Sequence, residues 1–442
     1  MHRMGARHGL LATLTATALL AACGGTSTPV STAAPGGSAV STVAEEATTP
    51  PTTPPTTRPT TVAPTSSVAP PSSVETAAIP QDYSERGPFA VGVTELHLDH
   101  GRPVLVFYPV DRTSVSADAV GFGYTAEEMW GTASDVWPIG WALDVPDAWV
   151  DAPVSASGPY PLVVFSHGWG NTRFSNSLHT AHLASWGFVV AVPEHASRDI
   201  TARLAGQDTL PPSDPRTIAE TIALMDAYNS LGGGSLAGAV DVSRVAVEGY
   251  SAGGRDAALA AALPEVDTWI SVAGTPPVPD DAVAVGELFA PVAGFDLGEH
   301  LAGITPPDKP SMLLVAGADS VVLPSYSDTV FAWLGSPKRL VVLGNTGHVV
   351  FTDGCRLYQE GLVPGLVDVF AMDPASVSVQ IGDNGCRPEY APAQDVAAVW
   401  NHVATAQLAW VFGMDADVAA ASLELGYLEA TFPGRVQDDR VE

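Results

Sequence analysis

Basic residues are scarce in this sequence. Its 442 residues include 19 Lys and Arg against 48 Asp and Glu, which gives a formal net charge of −29 at pH 7. A surface this acidic repels phosphate backbones and anionic membrane faces. The composition therefore argues against nucleic acid as a partner. Hydrophobic residues still make up 46% of the chain, enough for most of it to fold around an apolar core.

Long apolar runs are also absent, because no stretch reaches the 18 consecutive apolar residues of a membrane-spanning helix. The apolar residues 10–20 follow Arg3 and Arg7 and have the length of an export signal. They lead into Leu-Ala-Ala-Cys-Gly at 20–24, which resembles the bacterial lipobox, whose cysteine is lipidated. We expect residues 1–23 to be a lipoprotein signal peptide with the lipid on Cys23. The alternative is ordinary signal cleavage beside a chance cysteine.

The lipid on Cys23 would be the protein's only contact with the membrane. It would hold the protein at the outer face of the bacterial cell membrane, from which it can also be released.

Aromatic residues are missing from residues 24–80, where Ser, Thr and Pro take 33 of 57 positions. Such a segment buries too little apolar surface to offset its ordering entropy, and its proline runs favour an extended polyproline conformation. We expect a disordered tether that holds the folded domain, residues 81–442, away from the membrane.

Cysteines number only three, and none belongs to a CxxC pair, so no zinc or redox motif is present and we predict no metal site. With Cys23 lipidated, Cys355 and Cys386 remain as an even pair in an oxidising setting. A disulfide between them is the favoured interpretation. Two unpaired buried thiols are the alternative.

Short, continuous apolar runs dominate the folded part, which is typical of strands buried on both faces of a parallel sheet. They lie at 162–165, 188–192, 245–248, 269–273, 312–316 and 339–343. Helix-like stretches at 217–229, 252–263 and 393–411 lie between or after them, and runs at 91–98 and 103–108 form an earlier antiparallel pair. The pattern predicts an α/β fold with a doubly wound, mostly parallel sheet and a short N-terminal antiparallel part.

One turn carries a candidate nucleophile. The run at 245–248 continues into Gly-Tyr-Ser-Ala-Gly-Gly at 249–254 and then into an alanine-rich helix, which is the GxSxG motif in its strand–turn–helix context. Glycines are needed on both sides of the serine because side chains there would collide with the neighbouring strand or helix. We predict that Ser251 is a catalytic nucleophile.

An acid and then a histidine base should follow Ser251 in the chain, because that is the order in the fold that carries this motif. His348 comes directly after the last strand, whereas His300 lies in an insertion and His402 in an apolar helix. We therefore predict His348 as the base. Asp319 follows the preceding strand and is the predicted acid, with Asp280 or Asp281 as the alternative.

Donors for an oxyanion are expected after the strand at 162–165, in Ser-His-Gly-Trp-Gly at 166–170. We predict that the backbone N–H groups of Trp169 and Ala252 form the oxyanion hole. Glu194 and His195 end another strand, and we interpret both as structural.

These motifs resemble a known family. His-Gly-Trp-Gly at 167–170, the stretch 183–192, Glu194-His195 and Gly-Tyr-Ser-Ala-Gly-Gly at 249–254 are similar to α/β-hydrolases of the platelet-activating factor acetylhydrolase, dienelactone hydrolase and bacterial polyester hydrolase group. The resemblance runs from about residue 87 to 411. It implies the α/β-hydrolase fold and a serine esterase or lipase without a cofactor, acting on short-acyl, lipid or polyester-type esters.

Two departures from this group concern the site. The animal acetylhydrolases place their acid after the strand equivalent to 269–273, so the choice of Asp319 follows the polyester hydrolases. An insertion at about 275–308 is longer than a compact polyesterase needs and is long enough to cover the pocket, and the sequence leaves open whether it is a lid.

Two other functions fit the same sequence. An envelope acyltransferase would use the same three residues with an alcohol in place of water, and a surface binding protein could retain a catalytically inactive hydrolase fold. The presence of all three candidate residues argues against the second. No Walker, dinucleotide-binding or HExxH motif is present. The sequence predicts a small-molecule or lipid ester as partner and no particular oligomeric state.

Overall fold

The computed structural model describes residues 78–130, 142–198, 213–232, 234–278, 295–359 and 385–442. The predicted signal peptide, Cys23 and nearly all of the predicted tether lie outside them. Asp280, Asp281 and the middle of the 275–308 insertion lie outside them as well.

The described residues form one large sheet whose strands appear in the chain as follows: β1 (Ala90–His97), β2 (Pro103–Val110), β3 (Gly121–Thr125), β4 (Ala142–Val150), β5 (Tyr160–Ser166), β6 (Val189–Pro193), β7 (Val240–Tyr250), β8 (Thr268–Val272), β9 (Ser311–Ala316), β10 (Lys338–Leu343) and β11 (Val436–Val441). Their order across the sheet is β11-β10-β9-β8-β7-β5-β6-β2-β1-β4-β3. All six predicted apolar runs are strands, and they form an uninterrupted parallel block from β10 to β6.

The helices of the described residues are α1 (Ala126–Trp130), α2 (Ser177–Ser185), α3 (Pro215–Ser230), α4 (Ala252–Ala260), α5 (Leu297–Leu301), α6 (Pro324–Trp333), α7 (Asp353–Gln359), α8 (Ala393–Val411), α9 (Ala416–Ser422) and α10 (Leu425–Thr431). Short 3-10 turns cover Arg112–Ser114 and His348–Phe351. Helix α3 begins with a proline, and the Asp214 side chain accepts from the Thr217 N–H at its N-terminus, which explains why the helix starts there.

Both faces of the sheet are covered, as an α/β fold requires. In β5, Val163 and Phe165 pack into an apolar cluster with residues of α2 and α8, whereas Leu162 and Val164 face a second cluster with α3 and α4. A third cluster lies around α5 and α6 and includes Val278, Leu297 and Leu301. Both described ends of the 275–308 insertion therefore contribute to the core.

The structure differs from the prediction at both edges of the sheet. Strand β11 pairs antiparallel with β10, and β3 pairs antiparallel with β4, which itself runs parallel to β1. None of these three strands was predicted. The sequence of β11, Val-Gln-Asp-Asp-Arg-Val, and that of β4, which contains a proline, lack the apolar continuity of a central strand. Both strands are only partly buried, β11 at the edge of the sheet and β4 next to the other edge.

A disulfide joins Cys355 in α7 to Cys386, as predicted, and both residues are buried. Among the described residues, no helix is long and apolar enough to cross a membrane.

Asp353 at the start of α7 links three parts of the fold. Its Oδ2 accepts hydrogen bonds from the Tyr124 hydroxyl at 2.9 Å and from the Leu178 N–H at 3.2 Å, and its own N–H donates to the Ser175 carbonyl at 2.9 Å. Burial outweighs these hydrogen bonds and raises the pKa of Asp353 to about 7.

This pKa predicts how stability depends on pH. An aspartate in the unfolded chain titrates near pKa ~3.9, so folding binds a proton between pH ~4 and ~7, and stability falls as pH rises through that window. Asp353→Asn keeps an acceptor oxygen without the charge. The free energy of unfolding of this variant should equal that of the wild type near pH 4. Near pH 7 it should be higher than that of the wild type by on the order of a few kcal/mol. Urea unfolding at pH 4, 5.5, 7 and 8.5 measures this difference.

The control for this prediction is Asp226→Asn, which changes an exposed carboxylate on α3. Its unfolding free energy should differ from that of the wild type by the same amount at every pH. Parallel pH curves for the wild type and Asp353→Asn would contradict the assignment.

Candidate active site

The turn between β7 and α4 holds Ser251 in a left-handed backbone conformation, with φ of +56° and ψ of −120°. The turn has no room for side chains on either side. A Cβ on Gly249 would lie 2.0 Å from the Gly253 carbonyl oxygen, and a Cβ on Gly253 would lie 1.9 Å from the Ser166 carbonyl oxygen. Backbone hydrogen bonds stabilise this strained conformation, including one from the Ser251 N–H to the Val272 carbonyl at 2.9 Å.

Three predicted site residues meet at this turn. His348 Nε2 lies 2.9 Å from Ser251 Oγ, and His348 Nδ1 lies 2.7 Å from Asp319 Oδ2. All three are buried, with 5%, 2% and 5% of Ser251, His348 and Asp319 exposed. A carboxylate accepts only, so Nδ1 carries the proton and Nε2 presents a lone pair to the serine hydroxyl. The arrangement can move a proton from Ser251 onto His348 while Asp319 holds the ring.

Neighbouring backbone groups fix the acid and the base. The second carboxylate oxygen of Asp319 accepts from the N–H groups of Val321 at 2.8 Å and Val322 at 2.9 Å, which leaves Oδ2 facing the histidine. The Tyr250 hydroxyl donates to the His348 carbonyl at 3.0 Å, so the residue before Ser251 anchors the segment that carries His348.

The other candidate histidines lie elsewhere. His402 is fully buried in α8, where Nδ1 accepts from the Tyr83 N–H at 3.0 Å and Nε2 donates to the Ser422 carbonyl at 2.9 Å. His300 lies in α5 and stacks on Phe295, which precedes that helix. The alternative acids, Asp280 and Asp281, lie outside the described residues.

The two predicted oxyanion donors both lie at the carboxyl ends of the parallel strands. Strands β5 and β7 are parallel neighbours with Ser166 opposite Gly249, so the turn that carries Trp169 and the start of α4 at Ala252 lie side by side. Gly168 lies against the ring of Tyr250, so closely that a Cβ on this glycine would be 3.0 Å from Tyr250 Cδ1.

Glu194 and His195 lie in a buried polar network behind this turn. His195 Nε2 lies 3.0 Å from Ser166 Oγ, and His195 Nδ1 lies 3.3 Å from Asp214 Oδ2. Burial, together with the nearby Arg198 guanidinium, lowers the pKa of His195 well below its usual value, so the ring is neutral at pH 7.

Arg198 and Asp256 complete the network, and sequence reasoning missed both. The Arg198 guanidinium pairs with Asp256 on α4 and donates to Ser166 Oγ at 2.6 Å. A signal for this pair was present, since Asp256 interrupts an otherwise alanine-rich helix.

A second network missed by sequence reasoning ties two helices to the nucleophile strand. Glu248 in β7 is fully buried and accepts hydrogen bonds from Trp400 Nε1 at 2.7 Å and His179 Nε2 at 3.1 Å. Helices α2 and α8 are thereby fixed to the strand that ends at Ser251.

Metal ligands do not gather here. The described ranges contain no group of three or more His, Cys, Asp or Glu side chains placed to hold a metal ion.

Comparison with known proteins shows similarity to platelet-activating factor acetylhydrolases. A family model described as platelet-activating factor acetylhydrolase, isoform II, matches residues 73–231, a little over a third of the chain. The platelet-activating factor acetylhydrolase of Cavia porcellus is 39% identical over 67 residues, which span 15% of this chain and 15% of that protein. The family match contains His167–Gly170 and Glu194-His195 and ends before Ser251.

The parallel sheet with helices on both faces and the family match agree on the fold predicted from the sequence. The chain has the α/β-hydrolase fold, and its matches with platelet-activating factor acetylhydrolases support a serine esterase of that group.

Proposed function

We propose that the protein hydrolyses carboxylic esters through an acyl-enzyme intermediate on Ser251. The observation that carries this proposal is the continuous hydrogen-bonded line from Ser251 Oγ through His348 to Asp319. A serine hydroxyl is a weak nucleophile at its free pKa and needs a neighbouring base, which is what His348 Nε2 supplies at 2.9 Å.

The reaction follows from this geometry. Ser251 Oγ attacks the ester carbonyl while His348 Nε2 takes its proton, and the oxyanion that forms is held by the N–H groups of Trp169 and Ala252. The intermediate collapses when His348 returns the proton to the leaving alcohol. Water, activated by the same histidine, then releases the acid, and Asp319 stabilises the imidazolium in both steps.

The substrate class proposed is short-acyl, lipid or polyester-type esters. The similarity to platelet-activating factor acetylhydrolases supports an ester substrate of small-molecule or lipid type. An acyl acceptor other than water would make the protein an acyltransferase with the same three residues. Product analysis with and without added alcohols separates the two reactions.

The proposed roles predict a specific mutational pattern. Ser251→Ala and His348→Ala should each lower kcat by at least ~10³ on p-nitrophenyl esters, and the double variant should be little worse, because the residues act as one unit. Asp319→Asn should also be severe, because it permits the wrong imidazole tautomer. A panel of p-nitrophenyl esters graded by chain length measures these losses and ranks acyl lengths.

Controls for these variants lie among the other aspartates. Asp328→Asn changes a residue on α6 paired with Arg440, away from Ser251, and should leave kcat unchanged. A loss with Asp280→Asn or Asp281→Asn that exceeds the loss with Asp319→Asn would move the acid. Losses that add in the double variant would contradict a shared role for Ser251 and His348.

For localisation, we propose that the protein is held at the outer face of the cell membrane by a lipid on Cys23. Support comes from the sequence at 20–24 and from the Ser-, Thr- and Pro-rich residues that follow.

Cys23→Ser should move the protein from the membrane fraction to the soluble fraction. It should keep the specific activity of the domain, because the cysteine lies far from Ser251 along the chain. Fractionation with an esterase assay measures both, and Ala22→Gly serves as a control that retains the cysteine. Continued membrane attachment of Cys23→Ser would contradict the lipid anchor.

A further inference from the structure

The loop 167–173 between β5 and α2 is held by side chains to which the reaction described above gives no role. This loop carries the Trp169 N–H, which belongs to the same peptide unit as the Gly168 carbonyl. In a trans peptide the C=O and the N–H are coplanar and point in opposite directions. Whatever fixes the Gly168 carbonyl therefore fixes the direction of the Trp169 N–H.

His167 holds that carbonyl together with the Asn171 N–H, which donates to it at 3.3 Å. His167 Nδ1 lies 2.9 Å from the Gly168 oxygen. A carbonyl oxygen only accepts hydrogen bonds, so Nδ1 carries the proton and donates the hydrogen bond. The His167 ring is completely buried and packs edge-on against the His195 ring, with centroids 5.0 Å apart. A side chain enclosed in this way has little freedom to release the carbonyl.

The His195 N–H holds His167 from the other side of the ring, because it donates to His167 Nε2 at 3.1 Å. Glu194 lies next to the same nitrogen, with its Oε1 3.0 Å from His167 Nε2. Its Oε2 accepts from both the backbone N–H and the guanidinium of Arg173, each at 3.1 Å. One carboxylate thus contacts both ends of the loop 167–173.

The charge of Glu194 is maintained in spite of its burial. Burial alone would raise the pKa of Glu194, but the contacts with His167 and Arg173 outweigh it and lower the pKa to about 2. Glu194 is therefore a carboxylate at every pH at which an esterase is assayed.

A third contact holds the far side of the same loop. The Gly170 N–H donates to the Arg198 carbonyl at 2.8 Å, and Arg198 is itself fixed by Asp256 on the helix that follows Ser251. The loop is thereby tied both to Glu194 and to the nucleophile helix.

We propose that His167 and Glu194 are positioning residues that set the direction of the Trp169 N–H for an oxyanion at Ser251. His167 orients the Gly168–Trp169 peptide, Glu194 holds the other end of the same loop through Arg173, and that peptide supplies the donor. This inference rests on the proposed esterase function. It predicts losses in kcat rather than in substrate affinity, because an oxyanion exists only after attack.

Two substitutions of His167 separate positioning from packing. His167→Leu removes the donor and keeps an apolar side chain of similar size, and it should lower kcat on p-nitrophenyl acetate by about 10-fold to 100-fold with KM almost unchanged. His167→Asn keeps an N–H donor near the place of Nδ1 and should stay within about threefold of the wild type. A role in packing alone predicts the reverse order, because asparagine fills less apolar space than leucine.

Glu194→Gln tests the other half of the pair. It should also lower kcat. In the double variant with His167→Leu, the loss should be smaller than the product of the two single losses, because both residues act on one loop. The matched control is Glu95→Gln, which removes the other carboxylate bound to Arg173, at 2.9 Å and 38% exposed, and should leave kcat unchanged. The inhibition constant of a trifluoromethyl ketone, whose adduct with Ser251 carries the oxyanion, should rise in parallel with the loss in kcat.

The outcomes distinguish this inference from the proposed function. A wild-type protein that hydrolyses no ester, or one unaffected by Ser251→Ala, would overturn both. An active wild type in which His167→Leu and Glu194→Gln change KM, or leave both kcat and the ketone inhibition constant unchanged, would overturn the positioning role alone. Thermal unfolding of each variant shows whether it folds, and if His167→Leu does not, Glu194→Gln and His167→Asn carry the same test.

Discussion

The close approach of helix α4 to the carboxyl ends of β5 and β7 is the constraint on which the site depends. Gly253 lies so near the Ser166 carbonyl that no side chain fits between them. This contact brings the start of α4 against the loop that follows β5, and it forces Ser251 into its left-handed conformation at the sheet edge. This backbone contact thus brings the nucleophile turn next to the loop that carries the Trp169 N–H.

Buried charges behind the site depend on complete pairing. Arg198 and Asp256 are 1% and 0% exposed at the side chain, and each would be strongly destabilising without the other. The charge of Glu194 is compensated in the same way by Arg173. These pairs join the two loops that follow β5 and β6 to helix α4, which holds the turn rigid without placing an uncompensated charge beside Ser251.

The parts of the fold that the sequence predicts are those with local signals. Central strands are continuous apolar runs because both their faces are buried, and the glycines around Ser251 mark a turn that no other residue permits. His348 and Asp319 follow from their positions after strands, and the structure places both beside Ser251. Strands β3 and β11 at the two edges of the sheet, and β4 next to an edge, lack such a signal, because their partial exposure permits polar residues. The pairs Glu194 with His167 and Arg198 with Asp256 join residues far apart in sequence, and only the folded chain brings them together.

The proposed reaction depends on an acyl-enzyme intermediate on Ser251. Rapid acid quench of the full-length protein mixed with p-nitrophenyl acetate, followed by mass spectrometry of the intact chain and of its peptides, detects this intermediate. We expect a mass increase of one acetyl group, located on the peptide that contains Ser251 and absent from Ser251→Ala. Ester turnover with no acetylated protein at any quench time, under conditions in which deacylation limits the rate, would contradict the proposed reaction, as would an acetyl group on a residue other than Ser251.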